Sequence, residues 1–112
     1  MHVKIVNFNL VELTDEGYVE VCEQFAPAFA ELPGLLAKIW LRDAPSNTYG
    51  GVYLFADRAA ADAYAASDLF RSVGAFPHFS KITVRDFAVD EDTTRRTQQG
   101  LEVLAGAGAT VS

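Results

Sequence analysis

Leu35-Leu36-Ala37-Lys38-Ile39-Trp40-Leu41-Arg42 and Tyr49-Gly50-Gly51-Val52-Tyr53-Leu54-Phe55-Ala56 read as two strands joined by the turn cluster Asp43 to Thr48, which carries Pro45, Ser46 and Asn47. Side chains on a strand alternate with period two, so Tyr53 and Phe55 stand on one face and Val52 and Leu54 on the other. Both faces are apolar. A strand over Val3 to Leu10 repeats the pattern, with Val3 and Ile5 opposed to Val6, Phe8 and Leu10. So does a strand over Lys81 to Val89, with Ile82 and Val84 opposed to Phe87 and Val89. A sheet with one wet face alternates apolar with polar residues. These strands do not.

Helical patterns lie between them. Thr14 offers an N-cap, and Asp15 and Glu16 place negative charge in the first turn. Tyr18, Cys22, Phe25, Phe29 and Leu32 then follow at steps of four and three, the apolar stripe of an amphipathic helix. Pro27 inside that helix is expected to kink it near Glu23, and Pro33-Gly34 ends it. Asp57 caps a second helix, Arg58 to Ala66. Ser67-Asp68 opens a short extra turn holding Leu69, Phe70 and Val73, and Gly74 to Ser80 reads as an aromatic loop. Glu91 to Leu104 reads as a polar helix and residues 105–112 as a mobile tail, so residues 1–104 form the single domain. The order β-α-β-β-α-β is the ferredoxin-like α+β pattern, a four-stranded antiparallel sheet with two helices on one face. Helices cover only one face. The other is apolar, and a second copy of the same sheet is its simplest cover, which predicts a sheet-to-sheet homodimer.

Composition narrows the function. The 112 residues are half hydrophobic and carry a net charge of −6. An acidic chain without a basic cluster is a poor partner for nucleic acid or an anionic membrane. The apolar runs are too short to span a bilayer, and the N-terminus lacks the cationic and long apolar segments of a secretory signal. The expectation is a cytoplasmic protein. Cys22 is the single cysteine, and it and His2 and His78 stand at no metal-ligand spacing, so no metal is expected. Neither a dinucleotide nor a phosphate-loop glycine pattern occurs.

Pro33-Gly34, Lys38-x-Trp40 and Gly50-Gly51-x-Tyr53-Leu54-Phe55-x-Asp57 resemble the YdhR-type putative monooxygenase family of the dimeric α/β-barrel superfamily. Pro27 and Val89-Asp90 add to the resemblance, which covers nearly all the chain except the tail. It implies two ferredoxin-like sheets closing face to face into an α/β barrel. It also implies a pocket between sheet and helices in which molecular oxygen meets a small aromatic, polyphenolic or polyketide-like substrate. No cofactor is implied: the substrate is deprotonated and its anion passes an electron to dioxygen, while the protein supplies a dry cavity, oxyanion donors and a proton acceptor.

Six residues are candidates for that site. Trp40 could hold a substrate oxygen through its indole N–H and stack on a ring, or pack at the sheet surface. Tyr53 could donate to an oxyanion or relay a proton, or be a core tyrosine; Phe55 follows on the same face and could line the pocket. Lys38 shares the Trp40 face and could hold an anionic oxygen, or lie at the surface. Asn7, with Asn9, interrupts the first strand and could turn an amide to the substrate, or sit where the strand meets solvent. His78, in Phe76-Pro77-His78-Phe79, has the side chain best suited to act as a base near neutrality, or is a plain loop histidine.

Two further readings remain open. A cofactor-free cyclase or isomerase would use His78 and Tyr53 as an acid–base pair. A non-catalytic dimer would only bind a small ligand. Haem-degrading relatives of this fold use a first-strand asparagine, a tryptophan late in the third strand and a histidine in the second helix. Asn7 can match the first; Phe55 stands in place of the second, and Arg58 to Ala66 has no histidine. Haem binding is therefore not expected.

Overall fold

The computed structural model describes residues 1–98. Its elements are β1 (His2–Leu10), α1 (Asp15–Ala30), β2 (Leu35–Asp43), β3 (Thr48–Phe55), α2 (Arg58–Ala65), α3 (Asp68–Ala75), β4 (Phe79–Ala88) and α4 (Glu91–Arg95). The strands form one antiparallel sheet in the order β2-β3-β1-β4, the ferredoxin-like topology.

Local chemistry sets the helix starts. The Thr14 side chain accepts from Gly17 N at 2.9 Å, Asp57 from Ala60 N at 2.8 Å and Ser67 from Phe70 N at 3.1 Å. The third cap, with Asp68 in the first turn, carries a full eight-residue helix where the sequence suggested a single turn. Helix α1 runs through Pro27 as one element. Of the polar helix expected over Glu91 to Leu104, Glu91–Arg95 is helical and residues 96–98 turn. The remainder of that helix and the tail lie outside the described residues.

Burial alternates along β1 as the sequence pattern requires. Val6, Phe8 and Leu10 are buried under the helices, whereas Val3 and Ile5 face the open side. The core joins them to Tyr18 and Phe29 of α1, to Tyr49, Tyr53 and Phe55 of β3, and to Ala61, Tyr64 and Val73. On the open side Leu36, Ile39 and Phe87 are exposed by 55, 38 and 41%. No helix among the described residues is long and apolar enough to cross a membrane.

Two bulges shape the sheet. The β2–β3 register shifts between Leu35 and Ala37, which lets Leu35 also pack on the core. The β1–β4 register shifts between Asn7 and Asn9, and Lys81 there has a φ of 54°. That extra residue lets both Phe79 and Ile82 turn inward, so β4 begins two residues before the expected Lys81.

Candidate active site

The β2–β3 register pairs Lys38 with Tyr53 and Trp40 with Gly51, and all four lie on the helix-covered face. Gly51 makes room for the lysine: a Cβ there would lie 2.9 Å from Lys38 Cε and 3.3 Å from Tyr53 Cε1. Gly50 serves the backbone instead. Its φ is 144°, and a Cβ would come within 1.8 Å of the Val6 carbonyl oxygen.

Helix α1 closes the space from above. Phe29 packs edge-on against Trp40, with ring centroids 5.5 Å apart. The Lys38 ammonium sits 3.4 Å from the ring centroids of both Phe29 and Trp40 and 4.6 Å from that of Tyr53. This aromatic cage forms one end of a narrow cavity with a free volume of about 20 Å³, which Tyr18, Cys22, Phe25 and Phe79 also line. Phe29, Lys38 and Trp40 line a second, more open groove between α1 and the edge of β2 as well. They therefore form the partition between cavity and surface.

Burial decides the electrostatics. It pushes the Lys38 amine down to about 7 from 10.5, opposed only by a weak pull from Cys22. The ring faces favour the charged form, by about 0.5–2 kcal/mol for such contacts, but the loss of water around an ammonium costs several kcal/mol and prevails. Burial raises the Tyr53 hydroxyl far above its ordinary value, with Tyr64 adding to the shift. It raises Tyr64 to about 12, opposed by the hydrogen bond to Tyr53. The Tyr53 and Tyr64 hydroxyls are hydrogen-bonded to each other at 3.2 Å. Tyr53 is thus a donor that keeps its proton. Burial also pushes the Cys22 thiol up, away from its reactive form.

Of the six candidates, the structure brings Trp40, Tyr53 and Lys38 to one cavity. Phe55 is fully buried with its ring parallel to that of Tyr53 at 6.1 Å; it backs the tyrosine and does not line the cavity. Asn7 lies on the open face, because alternation from buried Val6 turns it away from the helices. Its amide donates to the Tyr49 carbonyl at 3.3 Å. Asn9 donates to the Asn47 carbonyl at 2.7 Å and fastens the β2–β3 turn. His78 follows α3, with Nδ1 2.8 Å from the Val11 carbonyl oxygen, and is not on the cavity wall. No histidine lines the cavity among the described residues.

Other residues matter that the sequence reading took as core or left aside. Phe29 belonged to the α1 stripe, whose spacing gives an apolar face but not a void beneath it. Lys4 and His2 share the inward face of β1 with Val6, and Lys4 is only 3% exposed. Asp86 Oδ1 lies 2.7 Å from Lys4 Nζ and 2.9 Å from His2 Nε2. Alternation could have flagged Lys4, a cation in an otherwise apolar row.

A family model described as "Putative mono-oxygenase ydhR" matches residues 3–100. No curated protein matches the chain. Several solved structures share the fold. SnoaB from Streptomyces nogalater, a cofactor-independent oxygenase, is 22% identical over 79% of this chain and 92% of its own, with a TM-score of 0.61. An antibiotic biosynthesis monooxygenase is 19% identical over 80% of this chain and 98% of its own, with a TM-score of 0.64. A MhuD variant with two manganese protoporphyrin IX bound per active site is 20% identical over 80% of this chain and 95% of its own, with a TM-score of 0.65.

Proposed function

Because the chain belongs to the family of the putative mono-oxygenase ydhR, we propose that it is a cofactor-independent monooxygenase acting on a small aromatic, polyphenolic or polyketide-like molecule. The observation that carries this reading is the meeting of Trp40, Tyr53 and Lys38 on one aromatic-walled cavity. As it stands the cavity has about 20 Å³ free, room for about one water, so a ring enters only as the aromatic side chains of its wall move aside. The Tyr53 hydroxyl and the Trp40 indole N–H are donors for a developing oxyanion in a water-poor site.

The substrate supplies the electrons. An anthrone-type methylene loses a proton, and the carbanion gives an electron to dioxygen and combines with it to a peroxide. Loss of water from the peroxide leaves a carbonyl: one CH₂ and one O₂ become one C=O and one H₂O. A second copy of the chain covers the open apolar face in this reading, and the homodimer works in the cytoplasm. A cyclase or isomerase resting on His78 and Tyr53 has less support, since only the tyrosine lies on the wall.

The test is one reaction followed two ways. Purified protein meets hydroquinones, anthrones and poly-β-ketone mimics in an oxygen electrode, and mass spectrometry reads the products. Oxygen uptake with an oxygenated product is expected. A product formed without uptake would overturn the oxygenase in favour of a cyclase or isomerase, and ligand binding without product would leave a binding protein.

A further inference from the structure

Lys38 is a half-buried amine without a carboxylate partner. Lys4 has Asp86 at 2.7 Å and Arg42 has Asp15 at 2.6 Å, but no carboxylate pairs with Lys38 among the described residues. The groups that face it are Cys22 and Tyr18 from α1 and Tyr53 from β3, with Tyr64 of α2 behind Tyr53. On its own strand Arg42 is engaged by Asp15 at the surface. On β1, Lys4 lies beyond Tyr53 in the next strand register. None of these supplies negative charge near neutrality.

We propose that Lys38 takes the proton from an acidic aromatic hydroxyl, or from an activated ring C–H, of a molecule bound in the cavity. The proposal rests on the oxygenase reading for the chemistry that follows, but not for the proton transfer itself. Three observations carry it. The amine stands on the cavity wall. Its protonated form has a seat already built, between the faces of Phe29, Trp40 and Tyr53. The competing acceptors fail: Tyr18 and Tyr53 are held protonated by burial, the Cys22 thiol is raised, and His78 is elsewhere. With its amine lowered to about 7, Lys38 is substantially neutral at physiological pH, near the optimum for a general base.

The balance is simple. R–H and the neutral amine become R⁻ and the ammonium, with no electron transferred. In the oxygenase, the ammonium returns that proton to the peroxide anion, and the amine is regenerated before water is lost.

Proton transfer can be read without turnover. The phenolate of 4-nitrophenol absorbs at longer wavelength than the phenol, so the bound probe reports its own protonation under anaerobic conditions. Carbon-13 labelling of lysine Cε reports the amine, and the chain has only three lysines, Lys4, Lys38 and Lys81. Expected are a lysine titrating near pH 7 that is missing from Lys38→Met, and probe bound to the wild type as the anion at a pH where free probe is mostly neutral. Lys38→Met should bind it as the neutral phenol. Lys38→Arg, which keeps charge but accepts no proton, should lose the neutral-pH limb of oxygen uptake, with the rate down roughly 10²- to 10⁴-fold. A Lys38 resonance titrating near 10.5, an unchanged anion signal in Lys38→Met, or a wild type that does not bind the probe would overturn the proposal. Anion binding without oxygen uptake would leave it standing and remove the oxygenase; uptake unaffected by Lys38→Met would do the reverse.

Discussion

Replacing Lys38 by methionine should remove a pH dependence of folding stability that the wild type carries. Unfolded Lys38 loses its proton near the ordinary 10.5, folded Lys38 near 7. Between those values the unfolded chain binds a proton that the folded chain has released. The free energy of unfolding therefore rises with pH across that window and is flat below about 7, where both states are charged. At about 1.4 kcal/mol per pH unit, the whole shift is worth about 5 kcal/mol. Between pH 6.5 and 9.5 only part of that window is crossed, so about 3 kcal/mol of it is the expected effect. Methionine keeps the length of the chain inside the cage and abolishes the titration. Urea unfolding of both proteins at pH 6.5, 8 and 9.5 measures the difference. The stability advantage of Lys38→Met should shrink by that amount as the pH rises. Tyrosines that ionise above pH 9 act equally on both proteins and cancel in the comparison. Parallel stability curves would refute the reasoning, because they would mean that folding leaves Lys38 as basic as it is in water.

Four other outcomes follow from the same contacts. Gly50→Ala should cost about 3 kcal/mol or more in chemical denaturation, since its φ of 144° and the Val6 carbonyl 1.8 Å from the new Cβ both oppose it; Gly51→Ala meets the flexible Lys38 chain at 2.9 Å, and the Tyr53 ring only at 3.3 Å, and should cost less, about 1–2 kcal/mol. Burial raises the Asp86 carboxyl, but hydrogen bonds from Lys4 and His2 outweigh it and hold the group below 3.8, so its contribution is present above that pH and lost as pH falls through the lowered value. Asp86→Asn should accordingly cost about 1–3 kcal/mol at pH 7 by leaving the Lys4 ammonium poorly paired. Tyr53→Phe should cost about 1 kcal/mol of stability through the Tyr64 hydrogen bond but lower oxygen uptake roughly 10²-fold. In the proposed sheet-to-sheet homodimer, Ile39→Glu on the open face should leave a monomer in light scattering with its near-UV spectrum intact; a wild type that is already monomeric would refute the dimer.

The element order was legible because each part of it has a short-range cause. Thr14, Asp57 and Ser67 satisfy the first helical N–H groups beside them, and period-two alternation marks a strand without reference to its neighbours. What escaped depends on pairing. Lys81 breaks the alternation by one residue, so the sequence read Phe79 and Ser80 as loop, whereas β1 pairs with both across the bulge. At the site, Lys38, Trp40 and Tyr53 could be placed on strand faces, but their meeting needs the β2–β3 register and the missing side chain of Gly51. Asn7 shows the converse. Its polarity suggested a pocket, yet one step of alternation from Val6 settles which face it occupies. The state of Lys38 was beyond the sequence altogether, since it arises from burial without a counter-ion.

Register also explains why the two faces of the sheet differ in kind. One transverse row on the helix-covered face reads Lys38, Tyr53, Lys4, Asp86 across all four strands. The next row, one residue along on the open face, reads Ile39, Val52, Ile5, Arg85. A sheet built only to bury one face would have these reversed, with the apolar row beneath the helices, and a one-residue slip would make that exchange. The bulges at Leu35/Ala37 and Asn7/Asn9 and the glycine at position 50 fix the register against the slip. Lys4 is neutralised by Asp86, but the Lys38–Tyr53 end of the inner row opens on a cavity and has no internal partner. One polar row with an unmatched amine inside an otherwise apolar core, and an apolar face outside, are two halves of the proposed arrangement: the first suits an acidic ligand inside, and the second a second sheet outside.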